Sequence, residues 1–394
     1  MLIVISDLHF NDETTSLNVS HRAFSHFFDY IKGSMRNEYK ELVIVFAGDT
    51  FDLLRSDYWI NVDEKEKPWN GPGMEQGAWS KENKSHYQKH LKQILNNIIK
   101  TNRTSLNTIK QAEELFSVPV TKIMVPGNHD RMLKEIEDYQ TMLSDTVGHV
   151  MIVDGAYENQ DYGVTIRHGH EFDAYNFENG GIPIGDVNTV ELFVRLPFFI
   201  KEQLPELADE LKSIEDIRPQ WRIFDYLHTT YTDYEVKYVI EKSIGTTIDY
   251  FFSLPYVKQW IAKHDIYHPF DEADKLQYLL HLSKFLSVSW IEKLLKVFSY
   301  FEMKESHYEE MAEKEASLYV VYGHTHKEHV AFLGFHNNLH RYYINSGTWR
   351  ERVLASNKGF FTRYKTMTYV IFYKKEERLT EFPAFEIWNG ALRE

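Results

Sequence analysis

The chain begins with LIVISDLH at residues 2–9, where a short apolar run passes directly into polar residues. The run LIVI is rich in β-branched side chains, which is typical of a strand buried on both faces. Four later runs, at residues 41–47, 121–125, 163–167 and 318–322, are also closely followed by Asp, Asn or His. Because ligands of open α/β sheets bind at the carboxyl ends of strands, we predict that all five ends lie along one edge of a sheet.

Helical stretches alternate with these strands, which indicates a layered α/β fold. The predicted helices cover residues 19–35, 85–116 with a break near Asn102, and 131–144. After residue 326, strand-like runs follow at 330–335, 342–344 and 368–373, and we expect them to form a second sheet packed on the first. The expected fold class is therefore α/β, as a two-sheet sandwich flanked by helices.

Residues 173–317 interrupt this rhythm and read as a mostly helical insertion, for example at 234–252 and 286–301. The predicted catalytic domain consists of residues 1–172 and 318–394, with the insertion as a cap. The aromatic side chains of the insertion either form its own core or line a substrate pocket. The Gly- and Pro-containing stretch at 68–73 predicts a loop at one rim of the site.

Composition excludes several kinds of site and partner. The chain has 394 residues and no cysteine, so disulfides, thiolate nucleophiles and sulfur-ligated zinc are excluded. The formal charge of −14 makes long nucleic acid a less favoured partner, although bound cations would attract a small anionic substrate. With no apolar run near about 18 residues and no basic region of a signal sequence, we expect no membrane span and a cytoplasmic location. Nothing in the sequence indicates an oligomeric state.

The polar residues at the strand ends are of the types that Mn, Fe or Zn bind. In DLH at 7–9 and HTH at 324–326, side chains two residues apart point to the same side of an extended chain. Asp49 follows a glycine that permits close backbone approach, and its two oxygens can bridge two ions. These groups together predict a metal cage built from Asp7, His9, Asp49, Asn128, His324 and His326, with His168 or His170 contributed by the run at 163–167.

The blocks resemble the calcineurin-like metallophosphoesterase family, whose pattern is D-x-H, G-D-x-x-D, G-N-H-D, a later H and G-H-x-H. Here they occur in the same order at 7–9, 48–52, 127–130, 168 and 323–326. The resemblance leaves residues 173–317 unexplained. It implies a two-sheet sandwich between helix layers. It also implies two metals that share Asp49, one with Asp7, His9 and His326 and the other with Asn128, His168 and His324.

Further assignments follow from the resemblance. His168 is the expected ligand in preference to His170, because the family ligand comes directly after the strand and before glycine. Asp52, three residues beyond the bridging carboxylate, resembles a group that orients ligands. His86 and His90 could bind metal from one helix face, but a solvated face is the favoured interpretation.

The resemblance also implies the chemistry. His129 resembles the family's general acid, and Asp130 is expected to hold its imidazole. Two divalent ions, with manganese expected and iron or zinc as alternatives, would clamp a phosphoryl group and generate hydroxide from a bridging water. We predict hydrolysis of a phosphodiester or pyrophosphate bond in a small phosphorylated substrate. The insertion at 173–317 is expected to govern specificity while leaving the metal cage intact.

Other classes of function stay open. A nuclease resembling the double-strand-break repair exonucleases shares the G-N-H-D block, but the acidic charge and the lack of a basic stripe disfavour duplex binding. A non-catalytic scaffold with this fold would have lost ligands, whereas all seven occur here. A branch similar to UDP-2,3-diacylglucosamine hydrolases also places a helical lid before G-H-x-H. It carries Arg where His129 stands, so its lipid substrate is not transferred.

Overall fold

The computed structural model describes residues 1–70, 81–212, 214–218, 222–264, 304–356, 359–378 and 384–392. Within these residues the chain forms an α/β fold with two mixed β-sheets and several helices. The prediction of an α/β fold that contains two sheets is confirmed.

Among the described residues, the first sheet has eight strands. In order across the sheet they are β4 (Val150–Ile152), β3 (Val120–Val125), β2 (Leu42–Ala47), β1 (Leu2–Ile5), β12 (Phe361–Phe372), β11 (Glu351–Ala355) and β7 (Ile217–Arg218), and β13 (Phe385–Ala391) pairs with β12 as well. Strands β1 to β4 are parallel, whereas β12 runs antiparallel to β1.

The second sheet has five strands in the part of the chain that the structure describes. Their order is β5 (Ala156–Asn159), β6 (Val164–Arg167), β8 (Tyr319–Tyr322), β10 (Leu339–Ser346) and β9 (Glu328–His336), with β6, β8 and β10 parallel. The prediction that five polar strand ends share one sheet edge is therefore wrong, since β6 and β8 belong to this second sheet. A strand is present at 368–372 as predicted, but its predicted place in the second sheet is wrong, because it is part of β12 beside β1. Apolar runs identify strands but carry no information about their partners.

The alternation of side chains along β1 shows how the layers pack. Leu2 and Val4 face the second sheet, where they share a buried cluster with Ile166. Ile3 and Ile5 point the other way and join the large cluster formed with the helices. A strand that is apolar at every position thus supplies two cores at once, because successive side chains point to opposite faces.

Helices cover the outer face of the first sheet and part of the second. They are α1 (His21–Ser34), α2 (Lys81–Thr101), α3 (Arg103–Leu115), α4 (Tyr139–Val147), α5 (Ile184–Asn188), a π-helical stretch (Thr189–Val194), α6 (Arg195–Gln203), α7 (Ala208–Leu211), α8 (Arg222–Thr230), α9 (Tyr234–Ser253), α10 (Pro255–His264) and α11 (Glu305–Glu313). Short 3-10 helices occur at Asp57–Asn61, Glu64–Glu66, Arg131–Glu135, His170–Phe172, Pro205–Leu207, Ile214–Asp216 and Lys375–Glu377.

The predicted helix break at Asn102 is confirmed, and its cause is visible. The Asn102 side-chain amide donates to the carbonyl oxygens of Ile98 and Asn11, at 2.9 and 2.8 Å, which ends α2 and ties it to the loop after β1. The predicted helix at 131–144 is only partly correct. A 3-10 turn occupies its first residues, and α4 begins at Tyr139.

The described part of the 173–317 segment shares its core with the helices behind the first sheet. Ile182, Leu196 and Phe251 belong to the same buried cluster as Phe24 of α1. Strand β7, also from this segment, pairs with β11 in the first sheet. The helix predicted at 234–252 is confirmed as α9, whereas that at 286–301 lies outside the described residues. Of the predicted loop, residues 68–70 form a turn and 71–73 lie outside the described residues.

Candidate metal centre

The candidate ligands lie where strands of both sheets end. Residues 7–9 follow β1, Asp49 follows β2 and Asn128 follows β3 in the first sheet. His168 follows β6 and residues 324–326 follow β8 in the second sheet. The site therefore lies between the two sheets.

The first group of ligand atoms comes from Asp7, His9 and His326, all buried. Nε2 of His326 lies 3.2 Å from Asp7 Oδ1 and 3.1 Å from Nε2 of His9, and the latter lies 3.8 Å from Asp7 Oδ1. Ligands at about 2.1 Å from one ion are separated by about 3 to 4 Å, so these spacings suit a metal. Among the described residues, Asp7 Oδ1 is buried and has no hydrogen-bond partner, which leaves it available as a ligand.

The second group surrounds Asp49. Its Oδ2 lies 3.2 Å from Nε2 of His168 and 3.6 Å from Nε2 of His9. Nε2 of His168 is also 3.1 Å from Oδ1 of Asn128. The other oxygen, Asp49 Oδ1, accepts the backbone N–H of His129 at 2.8 Å, which fixes the carboxylate between the two groups.

Hydrogen bonds orient two of these imidazoles through Nδ1. His9 Nδ1 donates to Asp52 Oδ2 at 2.8 Å, and His168 Nδ1 donates to the carbonyl oxygen of Ala47 at 3.0 Å. Fixing Nδ1 as a donor directs Nε2 toward the cluster, as is usual for histidines that bind metals. These buried His and Asp groups could hold a metal ion.

The backbone conformation of the site is unusual. Among the described residues, eight non-glycine residues have positive φ, and five of them are candidate ligands. Their φ values are Asp7 54°, His9 47°, Asp49 49°, His324 70° and His326 60°. Side-chain-bearing residues pay about 1–2 kcal/mol for this region, and such strain concentrates at functional sites. The left-handed residues turn the chain sharply so that neighbouring side chains enter the site.

Three glycines are required by close approach rather than by φ alone. A Cβ at Gly48 would lie 2.1 Å from Nδ1 of His168, and one at Gly127 would lie 2.2 Å from Oδ1 of Asp49. A Cβ at Gly323 would lie 2.5 Å from Oδ2 of Asp7. Each glycine therefore provides the space that a candidate ligand occupies.

The structure corrects the predicted partner of His129. Its Nδ1 donates to Oδ1 of Asp52 at 2.8 Å, so Asp52 orients both His129 and His9. Asp130 instead accepts backbone N–H groups, from Gly127 at 2.6 Å and Thr50 at 2.8 Å. The prediction that Asp130 holds the imidazole is wrong, because its carboxylate ties the loop after β3 to the loop after β2. The prediction that Asp52 orients ligands agrees with its contacts.

His324 approaches the cluster in a different way from the other candidates. Its Nε2 donates to Asp173 Oδ2 at 3.0 Å, and its ring centroid is 5.2 Å from that of His168. Its backbone N–H donates to Asp7 Oδ2 at 3.1 Å, which links the two sheets. His170, the alternative ligand, lies beside His168 with a ring-centroid distance of 5.4 Å. Neither His170 nor His324 belongs to the metal-holding groups found among the described residues.

The histidines of α2 correct a second expectation. His90 is buried. Its Nδ1 is hydrogen-bonded to the Tyr58 hydroxyl at 2.9 Å, and its Nε2 lies 3.1 Å from Glu66 Oε2. His86 is partly exposed, and its Nε2 lies 3.2 Å from the Lys67 carbonyl oxygen. These residues join α2 to the loop that precedes it, so the predicted solvated face is wrong for His90.

Burial opposes charge in this cluster, whereas the neighbouring groups favour it. Burial raises the pKa of Asp49, but the imidazoles of His168 and His129 hold it well below its ordinary value. Burial lowers the pKa of His168, but the Asp49 carboxylate raises it to about 10. A cation that binds His168 must therefore displace a proton from Nε2.

Polar residues at the end of β10 and just after it also support the site, and they were not predicted to do so. Thr348 donates to the backbone carbonyl oxygen of Asp7 at 2.7 Å, and Asn345 Nδ2 donates to that of Gly323 at 2.7 Å. Ser346 Oγ lies 2.8 Å from Oγ of Ser6. These polar residues directly follow the apolar end of a strand-like run, which is the signal that identified the other strand ends. They hold the ligand-bearing loops of β1 and β8 together.

No known family model matches this chain, and no curated protein does either. In the part of the chain that the structure describes, no helix has the length and apolar character needed to cross a membrane.

Proposed function

We propose that this chain is a calcineurin-like metallophosphoesterase that hydrolyses a phosphodiester or pyrophosphate bond of a small phosphorylated substrate. The observation that carries the proposal is the position of Asp49. Its Oδ2 lies between Nε2 of His9, at 3.6 Å, and Nε2 of His168, at 3.2 Å. A carboxylate that lies between imidazoles from two sheets is placed to be a shared ligand of two cations.

Two divalent cations fit this donor set. The first would be held by Asp7, His9 and His326 and the second by Asn128, His168 and His324, with Asp49 shared by both. Oxygen and imidazole ligands without sulfur favour manganese, and iron or zinc are accepted by the same groups. Such a pair activates water and neutralises charge on a phosphoryl group during an in-line displacement.

His324 fits this scheme through Nδ1. Because its Nε2–H donates to Asp173, Nδ1 is the nitrogen that keeps a lone pair in the neutral ring. A cation at this position would therefore bind His324 through Nδ1.

The proton chemistry falls to His129 and Asp52. The Nδ1 of His129 donates to Asp52 Oδ1, so Nε2 is the nitrogen available to protonate the leaving oxygen. Burial lowers the pKa of His129, but the carboxylates of Asp52 and Asp49 raise it above its ordinary value. This shift favours the protonated imidazole, which a general acid requires. Asp130 contributes by holding the loops of Asp49 and Asn128 together.

Substrate size follows from charge and surroundings. A protein of formal charge −14 repels an extended polyanion, whereas the cation pair would attract a small anion locally.

We propose that the two sheets form the sandwich of this family and that residues 173–317 are a mostly helical insertion. The cytoplasmic location stays a prediction.

The experiment is a metal-reconstitution assay on the full chain. Protein stripped with a chelator is titrated with Mn²⁺, its metal content is measured by mass spectrometry, and hydrolysis is followed with phosphomonoesters, nucleotide diesters and sugar-nucleotide pyrophosphates. We expect two ions per chain and turnover that requires them. Asp49→Asn tests the bridge, and His90→Gln is the matched control, since His90 is a buried histidine outside the cluster.

The outcomes separate the alternatives. Two bound ions with hydrolysis of small diesters or pyrophosphates support the proposal. In addition, Asp49→Asn must lose at least one ion and its turnover, whereas His90→Gln must keep two ions and its turnover. Hydrolysis restricted to DNA or RNA would make the chain a nuclease. Failure to bind metal would leave a non-catalytic scaffold and would refute the proposal.

A further inference from the structure

The first residues of the 173–317 segment reach the candidate ligands of the second cation position. Asp173 is buried, and its Oδ2 accepts Nε2–H of His324 at 3.0 Å. The carboxylate is itself held, because Oδ1 accepts the backbone N–H of Tyr175 at 3.0 Å and Oδ2 accepts the side-chain amide of Asn176 at 2.7 Å. A carboxylate fixed in this way determines both the orientation and the tautomer of the imidazole that it contacts.

A second buried carboxylate of the same segment acts on the other side. Asp186 of α5 is fully buried and forms a two-pronged ion pair with the guanidinium of Arg131. Nη1 of Arg131 also donates to the backbone carbonyl oxygen of Asn128 at 2.5 Å. Asp186 therefore fixes the arginine that holds the backbone of Asn128.

The ligands of the first position are supported differently. Asp52 holds His9, Thr348 holds the backbone of Asp7, and Arg352 donates to the backbone carbonyl oxygen of His326 at 2.9 Å. These supporting residues lie outside the 173–317 segment. The segment reaches this side through Asp216, whose partner Arg350 lies 3.4 Å from the His9 carbonyl oxygen.

From these contacts we propose that Asp173 and Asp186 are positioning residues for the second cation position, so that residues 173–188 form part of the metal centre. The inference rests on the proposed function, since it needs a chain that binds two cations. It changes the expectation that the 173–317 segment can be removed with the cage intact. Its removal should release the second cation.

The test compares the affinities of the two positions in single variants of the full chain. Asp173→Ala should weaken the second Mn²⁺ by about 10- to 100-fold, the usual effect of losing a group that orients a ligand. The first Mn²⁺ should keep its affinity within about threefold. Asp173→Asn should lose less, because its amide oxygen can still accept from His324. Asp186→Asn should also weaken the second cation only.

Two readouts other than activity report the result. Calorimetric titration gives the two affinities, and electron paramagnetic resonance detects the exchange-coupled signal of a Mn²⁺ pair. At Mn²⁺ concentrations that fill both positions of the wild-type chain but only the first position of Asp173→Ala, this signal should be weaker in the variant. General destabilisation would not produce such a selective change, and thermal melts of the metal-free variants monitor folding.

Controls come from the same segment. Glu191→Gln removes the charge from a fully buried ion pair in which Glu191 Oε1 lies 2.7 Å from Lys67 Nζ. This pair contacts no candidate ligand, so the variant should bind the second Mn²⁺ with unchanged affinity. Asp216→Asn removes the partner of Arg350 on the first side and should likewise spare the second cation.

The results discriminate between the two proposals. If the wild-type chain binds two cations and Asp173→Ala and Asp186→Asn bind both with wild-type affinity, the positioning role is refuted while the phosphoesterase proposal stands. Equal weakening of both positions, or the same loss in Glu191→Gln, would also refute it. A wild-type chain that binds no cation pair would overturn the proposed function first.

Discussion

Replacing Asp52 by Asn should damage the first cation position through the tautomer of His9. Both carboxylate oxygens of Asp52 are in use: Oδ2 accepts Nδ1–H of His9 at 2.8 Å, and Oδ1 accepts Nδ1–H of His129 at 2.8 Å. Oδ1 also accepts the backbone N–H groups of Leu54 and Arg55, at 3.2 and 3.0 Å. The amide oxygen of Asn must therefore take the place of Oδ1, because three donors already point there.

The amide NH₂ group then faces Nδ1 of His9. Two donors cannot pair, so the neutral imidazole must move its proton to Nε2, the nitrogen that points toward Asp7 and His326. A protonated Nε2 cannot bind metal. The lost charge-assisted hydrogen bond contributes about 1.5–3 kcal/mol, which corresponds to roughly 10- to 150-fold in affinity. We expect the first Mn²⁺ to bind about 10- to 100-fold more weakly, which also agrees with the usual effect of such orienting groups.

The same substitution should move the pH profile. Asp52 is the largest raising influence on the pKa of His129, so its neutralisation lowers that pKa. A general acid must be protonated, and the alkaline limb of the rate profile should therefore shift to lower pH. The assay combines calorimetric Mn²⁺ titration with rates at saturating Mn²⁺ for esters with good and poor leaving groups. Wild-type affinity at the first position together with an unshifted alkaline limb would refute the reasoning.

The other predictions concern the bridge, the acid, a glycine and the metal-free state. Asp49→Ala should abolish turnover and release at least one ion, and a variant with two ions and full rate would contradict the cage. His129→Ala should keep both ions yet slow esters with poor leaving groups by about 10²-fold or more, and unchanged rates would remove it from the mechanism. Gly127→Ala should lose metal, since its Cβ would meet Asp49 Oδ1 at 2.2 Å, whereas Gly33→Ala, with open space around it, should not. Asp49 raises the folded-state pKa of His168 to about 10, so the protonated imidazole stabilises the metal-free protein at low pH. This stabilisation should be lost between about pH 6.5 and 10, and the melting temperature in the presence of chelator should fall over that range. A melting temperature that holds or rises there would contradict the prediction.

Local patterns predicted a large part of the site. Strands that are apolar at every position must be buried on both faces, and the polar residues after them must leave the core at the strand ends. For this reason the strands that precede Asp7, Asp49, Asn128, His168 and His324 were found with bounds close to those observed. The break at Asn102 was equally local, since its side chain bonds to the carbonyl four residues earlier.

Partnership between distant residues could not be read in the same way. His129 could pair with its neighbour Asp130 or with Asp52, and adjacency favoured the wrong choice. The direction in which the loop after β3 turns decides the matter, because it points Asp130 at the backbone N–H groups of Gly127 and Thr50. The pairing of His324 with Asp173 likewise depends on where the 173–317 segment leaves the second sheet.

Local sequence patterns therefore predict which residues end buried strands and which chemical groups lie there, because burial and strand geometry act over a few neighbouring residues. They do not predict that those ends come from two sheets, that β12 lies beside β1, or that Asp52 rather than Asp130 orients His129. These features depend on pairing between residues far apart in the chain. Every apolar strand offers similar hydrogen bonds and side chains to several partners, so the choice among them is made by the packing of the whole fold.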